Sequence, residues 1–229
     1  MTQRHELRWG GFAGLAFLVL AFCAALIPGL PPRVTDSASE ITAYVGEGRD
    51  QLLASSLLWA ASAGLVIWFS AAFAEAIRER EERSDVHMAL LAGSVLVGGA
   101  LFMSAAGTAA MAYGADTADA ALTVTLFKGL MVLTTMVGFA TVLPLAAAGI
   151  GVLRTKLMPD WLGYVALAAA VVSVITAFGI FATSGNYVPG GPVMSLIPLV
   201  AGGIFVLCAS VFMVREHLTE VAPMTVPQT

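Results

Sequence analysis

Charge is what this sequence has least of. Only 11% of its 229 residues are Asp, Glu, Lys or Arg, against roughly a quarter in soluble proteins. A chain so poor in charge cannot cover a water-facing surface. Its 59% hydrophobic content and mean hydropathy of +0.88 place it in lipid. Cysteine is nearly absent as well. Cys23 and Cys208 each sit inside an apolar run, which argues against a disulfide framework or a paired metal motif and reads as two small buried hydrophobes. Basic residues form no block and the net charge is −4, so nucleic acid is not a partner to expect. None of the three histidines falls in the middle of an apolar run, whereas haem ligation wants histidines facing each other across a bundle. The His-Glu-x-x-His cluster of a metalloprotease is missing. A serine nucleophile would have only Lys128 as an intramembrane base, with no partner to orient it. A retinal Schiff base would want a buried carboxylate beside that lysine. An enzyme is therefore not expected, nor a metal or other cofactor.

What the sequence does have is apolar length. Runs at about 9–30, 51–77, 86–113, 120–153, 161–183 and 193–214 are each long enough to cross a ~30 Å hydrocarbon layer at ~1.5 Å per residue. The fold class this predicts is all-α: a polytopic transmembrane bundle of six helices forming a single integral membrane domain over residues 1–229. The first run follows Arg4, His5 and Arg8 as a secretory leader would. Its apolar core is too long for one, and Phe22 is wrong for the residue before a lipoprotein cysteine, so it reads as an uncleaved span. Pro28, Pro31 and Pro32 end it.

In this six-span scheme Arg4, Arg8, Arg78, Arg80, Arg83, Arg154, Lys156 and Arg215 lie on one side, and only Arg33 and Arg49 on the other. The excess of Lys and Arg marks the cytoplasmic side, which puts both termini there. Nine arginines against two lysines, with abundant alanine, fit a bacterium of high GC content. The partners to expect are the lipid bilayer and either another membrane protein or a second copy of the chain.

The connections carry their own signals. Ser37 and Glu40 make a capping box, and Ile41, Tyr44 and Val45 fall on one helical face, predicting a short interfacial helix in the first outer loop that Gly46 and Gly48 end. Beyond the second span, Arg78 with Glu82 and Glu79 with Arg83 stand at i,i+4 spacing, as in a solvated helical extension. Asp85 is placed to cap the third span, at whose boundary His87 reads as a surface group. Stripes of small residues at Ser56/Ala60/Gly64, Ala100/Ser104/Thr108/Ala112 and Ala169/Ser173/Ala177 read as helix contacts. Ser184 to Pro192 is turn-rich, and the tail to Thr229 reads as irregular.

The fourth run is the longest, roughly 51 Å as a straight helix. It holds one charge, Lys128, and one helix breaker, Pro144, which predicts a kink between Ala140 and Pro144. Lys128 has two readings. Its stem can carry the ammonium back toward Asp116, Asp119 and the acidic first outer loop. Alternatively it faces the interior and lines an outward-open vestibule with Asn186 or Tyr187, where it would attract an anionic or polar ligand. Thr123, Thr125, Thr134, Thr135 and Thr141 on the same run suit a polar path, or bonds to their own backbone.

The six-span order, the outer-loop residues Ala43, Tyr44 and Arg49, and above all Lys156-Leu-Met-Pro-Asp-Trp-Leu-Gly163 opening the fifth span resemble a family of uncharacterised bacterial multi-pass membrane proteins, a domain of unknown function. The resemblance implies a six-helix inner-membrane protein and carries over no activity. The function expected is that of a non-catalytic accessory, sensor or structural membrane protein. The alternative is a small transporter or channel-like carrier with an outward-facing vestibule near Lys128.

Overall fold

The computed structural model describes residues 2–215, so the tail expected to be irregular lies outside the described residues. The helices in chain order are α1 (Thr2–Leu26), α2 (Ala38–Glu47), α3 (Arg49–Arg80), α4 (Val86–Gly114), α5 (Ala120–Ala140), α6 (Val142–Thr155), α7 (Asp160–Ala177) and α8 (Pro192–Arg215). There is no strand among the described residues. With α5 and α6 taken as one, six of these are long and apolar enough to cross a membrane, and the fold is that of a multi-pass membrane protein.

The six close into a ring. α1 packs on α3 and α8, α3 on α4, α4 on α5 and α6, α6 on α7, and α7 on α8. Apolar side chains gain little by leaving lipid for one another, so what holds such a ring is close backbone approach and dispersion. The glycines supply the approach. A Cβ on Gly11 would lie 2.9 Å from the Ser210 carbonyl oxygen, and one on Gly98 would lie 3.1 Å from that of Ala63. The stripe at Ser56, Ala60 and Gly64 does not work in this way. Ser56 is buried, but Gly64 opens onto empty space, because the face drifts off the contact as α3 lengthens. Ala169, Ser173 and Ala177 do share one buried face of α7.

The ring is filled from its axis outward. Phe69 and Phe73 stack at 6.1 Å, Phe73 meets Phe205 at the same centroid distance, and Ile77, Val152, Leu162 and Met213 close the space around them. A second, separate apolar cluster joins Ile41 and Val45 of α2 to Leu52, Met111, Ala112 and Phe127 of α3, α4 and α5.

That second cluster follows from helix length. α1 and α8 have 25 and 24 residues and the helical stretch Asp160–Phe181 has 22, close to the ~20 that a hydrocarbon layer requires. Arg49–Arg80, Val86–Gly114 and Ala120–Thr155 have 32, 29 and 36. At the end where the arginines gather the helices are level, since Gly151 of α6 meets Ile77 of α3 and Val86 of α4, and Gly10 of α1 meets Ala72 of α3 and Met213 of α8. The surplus of α3, α4 and α5 therefore stands out at the opposite end, where α2 packs on it.

At the basic end α3 stops at Arg80 instead of running on to Arg83. Among the described residues Arg78 does not take Glu82 as its ion-pair partner. Arg78 turns back to Glu75 at 2.5 Å, and Glu81 takes Arg154 from the α6 terminus at 2.6 Å. Asp85 holds the N-cap position of α4 without a side-chain bond, and the neighbouring Ser84 hydroxyl accepts the Val86 N–H instead.

Candidate functional site at the capped end

The site is built on α2. Ser37 Oγ accepts the Glu40 N–H and the Glu40 carboxylate accepts the Ser37 N–H, both halves of a capping box. A ten-residue helix is too short to persist alone in water, and Ile41 and Val45, one turn apart and fully buried, tie it to α5. Tyr44 sets its ring edge-on to Phe127 at 6.1 Å, and burial pushes its phenol up to about 12. The preceding loop is held by the Arg33 N–H on Asp36, and by the Val34 N–H on the Pro189 carbonyl of the α7–α8 connection. Gly190 has φ +81, and a Cβ there would lie 2.9 Å from the Pro32 carbonyl, so only glycine lets these two loops touch.

Arg49 opens α3 directly after α2 ends. Its guanidinium stands 5.4 Å from the centre of the Tyr113 ring, Nη1 reaches Asp50 at 3.2 Å, and buried Nε has no partner. Sequence reasoning passed over this grouping because Arg49 and Tyr113 belong to different helices and no spacing rule links them.

The five residues singled out for ligand binding are spread over this end. Asp116 and Asp119 lie exposed in the α4–α5 loop, and Asn186 and Tyr187 lie exposed in a single 3-10 turn, Gly185–Tyr187. Lys128 is exposed on α5. Nine residues separate it from Asp119, which puts the two about 13 Å apart along α5 and on opposite faces of the helix. The α7–α8 connection reaches α5 through Gly190 at Met131, three residues from Lys128. Among the described residues none of the five makes a hydrogen bond or ion pair with another. The threonines are likewise scattered. Thr123 and Thr135 are buried, Thr125 and Thr134 exposed, and each bonds the carbonyl four residues back; Thr141 bonds Gly138 O and Ser173.

Exposure with no ion-pair partner among the described residues gives a definite expectation for Lys128. Purified Lys128→Met should melt within about 0.5 kcal/mol of the native protein in thermal unfolding. A larger loss would mean that the ammonium has a partner its exposed position does not suggest.

Near the other end Arg83, Ser84, Asp85, Val86, Ala89 and Arg154 line an open hollow of about 430 Å³. Its charges largely cancel, with Asp85 beside Arg83 and Glu81 on Arg154. No group of three His, Cys, Asp or Glu with metal-binding geometry occurs among the described residues.

These features define a class, the multi-pass helical membrane protein with a capped end. Comparison of the chain with protein-family models, with curated proteins and with solved structures finds no match. The likeness at Lys156–Gly163 rests on those residues alone.

Proposed function

We propose that this chain is a non-catalytic accessory or sensor protein of a bacterial inner membrane, with both termini in the cytoplasm and the α2 cap on the outer face. The single observation that carries this reading is the filled axis. Phe69, Phe73 and Phe205 meet where a carrier would need a wet path, and the chain puts its surplus length into a separate outer core instead. The cap is the face offered to a partner, another membrane protein or a second copy. Arg49 meets Tyr113 and Asp50 at this end, and Asp116 and Asp119 are exposed in the α4–α5 loop. The carrier reading keeps one observation in its favour, the interruption of the fourth span at Thr141, since broken helices line substrate paths in transporters.

Single cysteines in a background with Cys23 and Cys208 replaced by alanine test both parts. At Ser39 and Asn186 they should react with an impermeant thiol reagent added outside intact cells, and at Glu82 only after lysis; Ser84 is too buried to serve. At Ser62 and Ser173, both fully buried on helices of the ring, they should stay unreactive toward a small aqueous reagent. Reversed labelling would remove the orientation. Rapid labelling at both Ser62 and Ser173 would replace the filled core by a water-lined path.

A further inference from the structure

Three spans depart from regular α-helical bonding. α5 gives way to α6 at Thr141, where Pro144 brings no N–H to the Ala140 carbonyl. α7 tightens into a 3-10 turn at Phe178–Phe181, and α8 contains Pro198, which leaves the Met194 carbonyl without its usual donor. Two contacts tie the break at Thr141 to α8 and to regular α7. A Cβ on Gly138 would lie 3.9 Å from the Pro198 ring, and Thr141 Oγ1 stands 3.0 Å from Ser173 Oγ.

The two sides of this break are held differently. Toward the basic end α6 is locked, with the Pro144 ring pressed into the space that Gly93 leaves on α4 and the Gly149 backbone against Gly163 of α7. Toward the capped end α5 belongs to the second apolar cluster, where Phe127 joins Ile41 and Val45 of α2, Leu52 of α3, and Met111 and Ala112 of α4. It meets α4 there at Gly107, which receives Leu130, and near Ala112, a face with little side-chain relief to stop sliding. Thr141 keeps an i−4 backbone bond on each side, its N–H to the Val137 carbonyl and the Leu145 N–H to its own carbonyl, and one hydroxyl pair spans from it to α7.

From this we infer that α5 swings about Thr141 against a fixed α6–α7 pair, with the Thr141–Ser173 hydroxyl contact as the latch. α5 is a lever of 21 residues. A pivot of about 10° would carry its Ala120 end roughly 5 Å, enough to open or close the contact of α5 with the α7–α8 connection at Gly190. The hinge stands on this geometry alone, whatever the cap binds.

Pulsed electron–electron distance measurements in lipid nanodiscs test it, on the background without native cysteine. Spin labels at Leu122 and Ile175, both lipid-exposed, report α5 against α7, and labels at Ile150 and Ile175 report α6 against α7. The first pair should give a distribution several ångströms broader than the second. Ser173→Ala, which removes the latch, should broaden it further, and Pro144→Ala, which restores the missing donor, should narrow it. A first distribution as narrow as the second overturns the hinge. So does a broad one that neither substitution changes, because the motion would then pivot elsewhere.

Discussion

Replacing Gly163 by leucine is expected to leave almost no folded protein. Gly163 lies in the first turn of α7, and a Cβ there would stand 2.7 Å from Leu153 Cγ and 3.1 Å from the Gly149 carbonyl oxygen. The contact is reciprocal, since a Cβ on Gly149 would stand 2.8 Å from the Gly163 carbonyl oxygen. A side-chain neighbour can rotate away, but two backbones cannot, so α6 and α7 would have to part along a contact that also fixes Leu157, Met158 and Leu162 in the core. Overpacking costs about 1–3 kcal/mol when side chains can adjust, and more when the obstacle is main chain. A loss of more than about 3 kcal/mol is a large share of the 5–15 kcal/mol that holds a typical fold. Fluorescence-detected size exclusion in mild detergent should show the Gly163→Leu variant aggregated or absent, with Gly163→Ala intermediate. Gly129→Ala, on a face with nothing within 4 Å of the added methyl, should behave as native or slightly better, since alanine favours helix over glycine by about 1 kcal/mol. A monodisperse Gly163→Leu protein melting at the native temperature would mean that α6 and α7 do not meet in this way.

That contact also shows which parts of the structure the sequence made legible. The element from Lys156 to Gly163 stood out in the sequence as the opening of the fifth span. In the structure it is a tight corner. Lys156 closes α6 at φ +51, a left-handed position unusual outside glycine, and its ammonium bonds Asp160 at 2.8 Å across the turn. Leu157 and Met158 are driven into the core, and Trp161 packs against Phe212 at a centroid distance of 6.4 Å. Hydropathy and proline positions could place the spans, because a bilayer accepts only long apolar helices. The capping box could place α2, because its signal lies within four residues. Hydropathy could not tell which glycines touch a neighbour. Gly98 and Gly99 are adjacent, yet one meets Ile67 and the other nothing, and only the rotation of α4 decides that. Nor could it show that the surplus length of three spans would gather at one end. That depends on which ends are level, and so on contacts between helices distant in sequence. The Arg78 pairing failed for a related reason. Residues i and i+4 face each other only while the helix continues, and α3 ends at Arg80.

The filled axis predicts the other large effect. Phe73 is completely buried, between Phe69 at 6.1 Å with rings 19° from parallel and Phe205 at 6.1 Å with rings tilted 57°. Phe73→Ala removes the central ring of three and leaves a void whose walls come from α3 and α8. In water-soluble cores this substitution costs about 3–5 kcal/mol, part of it for transfer from water and part for the cavity. Here the transfer part shrinks, because the unfolded segment stays in an apolar solvent, while the lost dispersion contacts and aromatic geometry remain. The expected loss is therefore near the low end, about 3 kcal/mol, seen as a drop in melting temperature with the protein still monodisperse. Phe73→Leu keeps most of the volume and should recover more than half of the loss. An exposed aromatic gives the reference. Phe102 points outward from α4, and Phe102→Ala should change the melting temperature little. If Phe73→Ala matched Phe102→Ala, the aromatic trio would not be what fills the ring, and the argument against a water-lined path would lose its support. If Phe73→Ala instead made the buried Ser62 and Ser173 positions reactive toward aqueous thiol reagents while the protein stayed folded, the trio would be shown to keep water out of a ring otherwise able to conduct it.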